Sequence, residues 1–509
     1  MPSEASSTTL DPGADSAAGS ASQRAVAMTA PPLKRSQMLL FASGLIAKGI
    51  KLRGFSTFLM LFYNQVMGLP AAWVGAAIMV VLIIDGIADP TVGVVSDNTP
   101  TRWGRRHPYM YAAAVPLCLS YYLVWNPPQG WSDPALLVYM AATVIAVRVL
   151  DSLYEVPSTA LVPELTSDYH QRTELISYRY LMAAAGSTLM TIYAYRVIFK
   201  KDADTPNGLL EAGAYHQYAV VASVVMLIAL LTSAISTHKR IPWLPKAANQ
   251  KIQPVAIARD LVSAFRNRDL WVLTGGGLFA YGAAGLNDGL SMYFNVYYWE
   301  LDPKQLSLLV TAGIVAVIAA TVCTPFLTHR FGKQPVAWTC FLFAPVVALT
   351  PLMLRLIGVM PANGDPLVLP IIMVEVVVSL TLFQIAQISV TSMFADLTEA
   401  SQVKTGRRME GLLTSADNFL KKTTQGIGTF ISGIVLTLVA FPTGVKPGGV
   451  EQGVLDALAL WYIPIYLGLY ACALFGLSRY RLDKAAHQSN LEILRERELA
   501  GKAGKDAAS

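Results

Sequence analysis

The sequence predicts an all-α membrane protein with twelve transmembrane helices in two six-helix bundles, both termini on the cytoplasmic side. Three observations carry this expectation. The chain is 54% hydrophobic and only 14% charged, with a mean hydropathy of +0.45, whereas soluble domains run near a quarter charged. Apolar stretches long enough to cross a hydrocarbon core of about 30 Å as helices recur along nearly the whole length. Basic residues gather in alternate loops.

The first set of spans is expected at 38–66, 71–97, 109–126, 134–162, 176–199 and 215–237. A second set follows at 270–299, 305–328, 336–357, 366–395, 413–441 and 455–478. Between the sets lies a polar stretch with Pro242, Pro245, Pro254 and many bases. The expected organisation is therefore a disordered cytoplasmic tail (1–35), an N-terminal bundle (36–237), a central cytoplasmic loop (238–268), a C-terminal bundle (269–480) and a charged cytoplasmic tail (481–509).

Orientation follows from the loops. One side carries Lys34 and Arg35, then Arg102, Arg105 and Arg106, then Arg172, the bases of the central loop, Arg330 and Lys333, and Lys404, Arg407 and Arg408. The opposite loops are short and poor in bases, which places both termini in the cytoplasm. These loops explain the net charge of +6. They form no single compact basic face, so no nucleic-acid partner is expected. Residues 1–30 lack an apolar core, so no cleavable signal peptide is expected. The four cysteines, Cys118, Cys323, Cys340 and Cys472, all fall inside spans and suit small buried thiols rather than disulfides.

Asp85 and Asp89 interrupt this apolar pattern. A carboxylate in hydrocarbon costs about 2.5–3.5 kcal/mol even on lenient insertion scales. Four residues apart, the two project from one helix face. Such a pair can hold a proton or a small cation. The alternative is a structural ion pair with bases on other helices.

The halves echo each other. Arg102-Trp103-Gly104-Arg105 follows the second span, and Arg330-Phe331-Gly332-Lys333 follows the eighth. The same base–aromatic–Gly–base pattern at equivalent places points to a repeated bundle. Gly permits a tight turn, and the bases can pair with nearby acids such as Asp97. Asp97, Arg102, Gly104 and Arg105 are thus candidates for a cytoplasmic gate.

Three separated segments carry a resemblance. They are Asp85-Gly86-Ile87-Ala88-Asp89-Pro90 leading to Arg102-Trp103-Gly104-Arg105-Arg106; Tyr154-Glu155-Val156-Pro157 leading to Leu161-Val162-Pro163-Glu164 and Tyr178-Arg179; and Lys404-Thr405-Gly406-Arg407-Arg408 leading to Phe419-Leu420-Lys421-Lys422. Over about 38–480 the chain resembles the glycoside–pentoside–hexuronide:cation symporters, the melibiose-permease relatives within the major facilitator superfamily. The resemblance implies that Asp85 and Asp89 bind the coupling cation and that Glu155 joins them. It implies that Arg179 lies near substrate and that Lys422 faces the carboxylates. It also implies a monomer in the cell (inner or plasma) membrane, with no cofactor beyond the coupling ion, H⁺ or Na⁺.

Two positions depart from the melibiose permeases. Gly49 stands where they have an acid that grips sugar hydroxyls, and Thr159 where they have a tryptophan. An α-galactoside grip is therefore not expected. The first span instead carries Lys48 and Lys51, about 60° apart on one face, plus Arg53. These bases either neutralise acids such as Asp151 or Asp288 or bind an anionic substrate. Ser152 can add an oxygen to a cation site with Asp85, Asp89 and Glu155. Ala88 contributes none, which favours H⁺ while leaving Na⁺ open; no metal beyond such a Na⁺ is expected.

The expected substrate cavity is lined by Lys48, Lys51, Glu155, Arg179, Asn287, Gln384 and Lys422. Gln384 and Gln387 can bond substrate hydroxyls or glue helices together. Glu375 is a further intramembrane acid. Tyr293, Tyr297 and Trp299 read as an interfacial belt. No nucleophile–base or metal constellation of an enzyme is present. The expected activity is cation-coupled symport of a sugar, glycoside or sugar acid, with transport of a lysolipid or other organic anion as the alternative and a non-transporting receptor a weaker one.

Overall fold

The computed structural model describes residues 33–166, 168–200, 207–244, 268–405 and 410–478. The two tails, most of the central loop, and Gly406, Arg407 and Arg408 lie outside the described residues. Within them every long element is a helix, as an apolar chain in lipid requires, because each backbone polar group must be satisfied inside its own segment.

Helix α1 (Arg35–Ala42) and α2 (Gly44–Gly54) meet at Ser43, which keeps right-handed helical dihedrals, and α2 runs on into π turns at Phe55–Leu59 and Phe62–Val66. Then come α3 (Ala71–Asp97), α4 (His107–Val124), α5 (Asp133–Leu165), α6 (Tyr169–Tyr193) with a π turn at Ala194–Ile198, and α7 (Ala212–His238). The second half holds α8 (Arg268–Tyr293) with a π turn at Phe294–Tyr298, α9 (Pro303–Phe331), α10 (Lys333–Leu356), α11 (Val368–Thr405), α12 (Glu410–Leu438) and α13 (Gln452–Ser478).

Eight of these segments (α3, α5, α6 with its π turn, α7, α9, α10, α11 and α13) are long and apolar enough to cross a bilayer by length and composition. The shortfall of α2 and α12 has a chemical cause. Lys48, Lys51 and Arg53 sit on one, and Asp417, Lys421 and Lys422 on the other. Tyrosines and two prolines dilute α4.

Local sequence explains the helix starts. Asp168 caps α6 by accepting from the Gln171 backbone N–H at 2.9 Å. Asp302 caps α9 in a reciprocal box with Gln305, and Pro303 occupies the first turn, where its missing N–H costs nothing.

The halves repeat in detail. The π turns at Phe62–Val66 and Phe294–Tyr298 both end the first helix of a half. Each closes with the same pair of backbone bonds, Met67 N to Phe62 O with Leu69 N to Tyr63 O, and Trp299 N to Phe294 O with Leu301 N to Asn295 O. Gly104 and Gly332 both take positive φ, +75° and +87°. Arg102 lies over the Trp103 ring at 5.4 Å and Arg330 over Phe331 at 5.5 Å.

In the first half, α2 packs on α6 and α7, and α5 on α3 and α4. In the second, α8 packs on α12 and α13, and α11 on α9 and α10. The halves meet most extensively where α3 lies along α12. Gly433 makes this approach possible, since a Cβ there would stand 2.4 Å from the Ala71 carbonyl oxygen.

Candidate functional site

A cavity of about 1040 Å³ lies between α2, α3, α5 and α12. Four helices supply its charges. On α2, Lys48 and Lys51 are three residues apart. On α3, Asp85 and Asp89 are four apart. On α5, Arg148, Asp151, Ser152 and Glu155 follow a three–four–seven spacing, which puts all four side chains on one face. Lys422 comes from α12 in the other half.

The charges pair completely. Lys422 Nζ lies 2.6 Å from Asp89 Oδ2 and 3.0 Å from Asp85 Oδ2. Arg148 Nη1 lies 3.2 Å from the same Asp85 oxygen. Ser152 Oγ donates to Asp89 Oδ1 at 2.6 Å. Lys51 pairs with Asp151, and Lys48 with Glu155. Four bases thus meet four acids, and the cluster is neutral as a whole. Charged groups in a low-dielectric interior are tolerated on this condition. Pro90, also lining the cavity, cannot donate to the Gly86 carbonyl one turn back, so that oxygen is free of its usual helical partner.

The structure sorts the expected residues. Asp85, Asp89, Ser152 and Lys422 come together. Glu155 lines the same cavity but is engaged by Lys48 rather than by the α3 pair. Of the two roles open to Lys48 and Lys51, neutralising acids is the one observed. Arg179 is buried away from the cavity lining. It donates to Ser158 Oγ (2.8 Å) and Thr159 Oγ1 (2.9 Å) and lies 5.2 Å over the Phe41 ring, tying α6 to α5 and α1. Asn287 lines a neighbouring cavity instead and accepts from Tyr462 OH at 3.2 Å. Gln384 lines neither, although α11 reaches the neighbouring cavity through Glu375, Val376, Ser379 and Leu380. Of the four cysteines, all free, Cys118 and Cys340 are buried as expected, whereas Cys323 and Cys472 are exposed on outward helix faces.

At the α3–α4 loop, Arg105 Nη2 lies 2.7 Å from Glu164 Oε1, and Arg106 Nη2 lies 2.5 Å from Asp97 Oδ1 and 3.2 Å from Glu164. Arg106 Nη1 also donates to Ser96 Oγ at 3.0 Å. Asp97 therefore pairs chiefly with Arg106, Arg105 reaching it only at 3.9 Å. Arg102 takes no part, its guanidinium being stacked on Trp103.

The other end is sealed. Tyr293 OH donates to Asn64 Oδ1 at 2.7 Å, Tyr297 OH to Gln65 Oε1 at 3.1 Å, and Gln65 Nε2 to the Pro442 carbonyl at 3.1 Å. Both tyrosine rings pack 5.3 Å from Phe441. Tyr293, Tyr297 and Trp299 are buried, not an interfacial belt. The two tyrosine hydroxyls found partners across the two halves, which single-helix reasoning does not see. Sequence reading also passed over Arg148, although its spacing from Asp151 and Glu155 was a usable signal, and over the paired role of Arg106 and Glu164.

The profile of the MFS/sugar transport protein family matches residues 40–484. The chain belongs to this family. Its members are membrane transporters, and this chain is a multi-pass membrane transporter of the major facilitator fold rather than an enzyme. A relative described as an isoprimeverose transporter, from Lactiplantibacillus pentosus, is 26% identical over 84% of this chain and 85% of its own length. The putative glycoside/cation symporter YagG of Escherichia coli (strain K12) is 24% identical over 88% of this chain and 92% of its own. The solved structure of a D-xylose–proton symporter aligns with a TM-score of 0.57 at 14% identity, covering 87% of this chain and 96% of that one. That likeness concerns the fold alone.

Proposed function

We propose that this transporter is a cation-coupled symporter of a neutral sugar or glycoside, working by alternating access. The observation that carries the reading is the Lys422 ammonium seated between Asp85 and Asp89. A proton or Na⁺ arriving at this pair competes with the ammonium for the same oxygens. Release of Lys422 loosens α12 from α3, the main contact between the halves. Without a bound cation Lys422 and Arg148 together neutralise the two carboxylates, so the empty carrier can reorient without an unpaired charge. The absence of an oxygen on the Ala88 side chain favours H⁺, with Na⁺ as the second possibility.

The topology that goes with this reading has twelve crossings. Residues 36–237 and 269–480 form the two bundles, the 238–268 loop and both tails lie in the cytoplasm, and the carrier works as a monomer. The large cavity then faces inward, towards Asp97, while the Tyr293–Asn64 layer closes the outside. Arg105, Arg106, Asp97 and Glu164 hold the inner ends of α3 and α5 together.

The pairing of Lys48 and Lys51 favours a neutral cargo over a sugar acid, because neither ammonium is left to hold an anion. It also weighs against the lysolipid or organic-anion alternative. Descriptions of relatives as isoprimeverose and glycoside/cation transporters support a saccharide cargo. The test is uptake of labelled glycosides into proteoliposomes under imposed proton or Na⁺ gradients. Accumulation driven by one of these gradients is expected. Uptake that ignores both gradients would refute coupling.

A further inference from the structure

A chain of cavities leads from the charged site into the second half. A middle cavity of about 400 Å³ shares Leu52 and Arg148 with the large one. It shares Arg53, Ser56 and Asp288 with a third, of about 300 Å³, that reaches Glu375 on α11. The third lies within the size range of small-molecule sites, roughly 300–1,000 Å³.

Its walls have two characters. One is a row of hydrogen-bonding groups. Ser379 Oγ donates to Glu375 Oε1 at 2.8 Å, and the second Glu375 oxygen carries no hydrogen bond among the described residues. Asp288 accepts from Gln425 at 2.9 Å. Arg53, exposed at the junction, makes no ion pair among the described residues. The other wall is aromatic. Tyr462 and Tyr466 stack with centroids 5.1 Å apart, and Phe294 adjoins Tyr462 at 5.0 Å. Acceptors and donors together with an aromatic shelf in one cavity suit a ring with hydroxyls on its rim and C–H groups on its face. Lys48, at the charged cavity, and Arg53, at the third, are separated by about 7.5 Å along the helix axis.

We infer that this cavity, walled by Glu375, Arg53, Asn287 and the Tyr462–Tyr466 shelf, is a second saccharide subsite. It takes the distal ring of a disaccharide or longer glycoside whose first ring lies in the charged cavity. The inference rests on the saccharide reading above and adds the length of the cargo. Nothing in the coupling cluster depends on it, since Glu375 and Tyr462 touch none of the paired charges.

The experiment measures binding by calorimetry to purified protein, using xylose against xylobiose and glucose against cellobiose. Wild type is compared with Glu375→Gln, which keeps side-chain size, and with Tyr462→Leu, which removes the shelf. Losing a contact of about 1.4 kcal/mol weakens affinity by about tenfold. The expected result is a loss of about that size for a disaccharide in each folded variant, with its monosaccharide changed less than about twofold. Equal losses for both lengths, or none, overturn the subsite while leaving saccharide transport standing. Failure of all four sugars to bind wild type refutes both.

Discussion

Lys422 and Asp89 form the shortest charge contact between the two halves among the described residues, with Nζ 2.6 Å from Oδ2. One comes from α12 and the other from α3, and Asp85 shares the same ammonium at 3.0 Å. The contact is thus a strut between halves, and in the proposed cycle the occupancy of the carboxylate pair and the separation of α3 from α12 are one variable.

Asp89→Asn leaves the ammonium with Asp85 alone and removes one cation ligand. The variant is expected to fold, since neutralising an intramembrane acid lowers its insertion cost. Concentrative uptake is expected to vanish while exchange of substrate across the membrane persists. Substrate accumulation against a gradient by the reconstituted variant would contradict the coupling role.

Lys51 is almost fully buried and paired with Asp151. Breaking a buried pair from one side costs about 3–5 kcal/mol, while replacing both members with apolar groups is far less damaging. Lys51→Met should lower the melting temperature sharply, and Lys51→Met with Asp151→Leu should recover most of it. Lys51→Gln should leave the preference between glucosides and glucuronides unchanged. A selective loss of glucuronide competition would assign Lys51 to cargo instead.

Tyr293→Phe deletes the hydrogen bond to Asn64 and keeps the ring against Phe441. A lost bond of about 1 kcal/mol shifts a two-state population by about fivefold. Thiol labelling of a cysteine introduced at Met67, beside the layer proposed to close the outside, should rise accordingly. Unchanged labelling would mean that this layer does not hold the outside shut.

Glu164 bridges Arg105 and Arg106, so Glu164→Gln loosens both. At Gly104 a Cβ meets only Ile241 Cγ2, at 3.6 Å, and the cost of Gly104→Val comes from its φ of +75°, about 1–2 kcal/mol. Both variants are expected to slow turnover while changing substrate affinity by less than about tenfold, roughly 1.4 kcal/mol. Initial-rate kinetics separate the two effects. Normal turnover with a large loss of affinity would place these residues in the binding site.

Much was legible in the sequence. Apolar length marked the helices, because lipid leaves the backbone no other solution. The cost of charge in hydrocarbon singled out Asp85 and Asp89, and the repeated base–aromatic–Gly–base loop announced the internal echo that Gly104 and Gly332 share. The partners of these groups were another matter. Lys51 with Asp151, Arg148 with Asp85, and Tyr293 with Asn64 join helices distant in sequence, and only the packing of one helix against another decides which side chain meets which. The same packing turned Arg179 into a brace between helices and left Gln384 out of both cavity linings. A sequence states what each residue must find, a counter-charge or a hydrogen bond. The fold decides who supplies it, since one helix face offers several equivalent positions and only close packing selects among them.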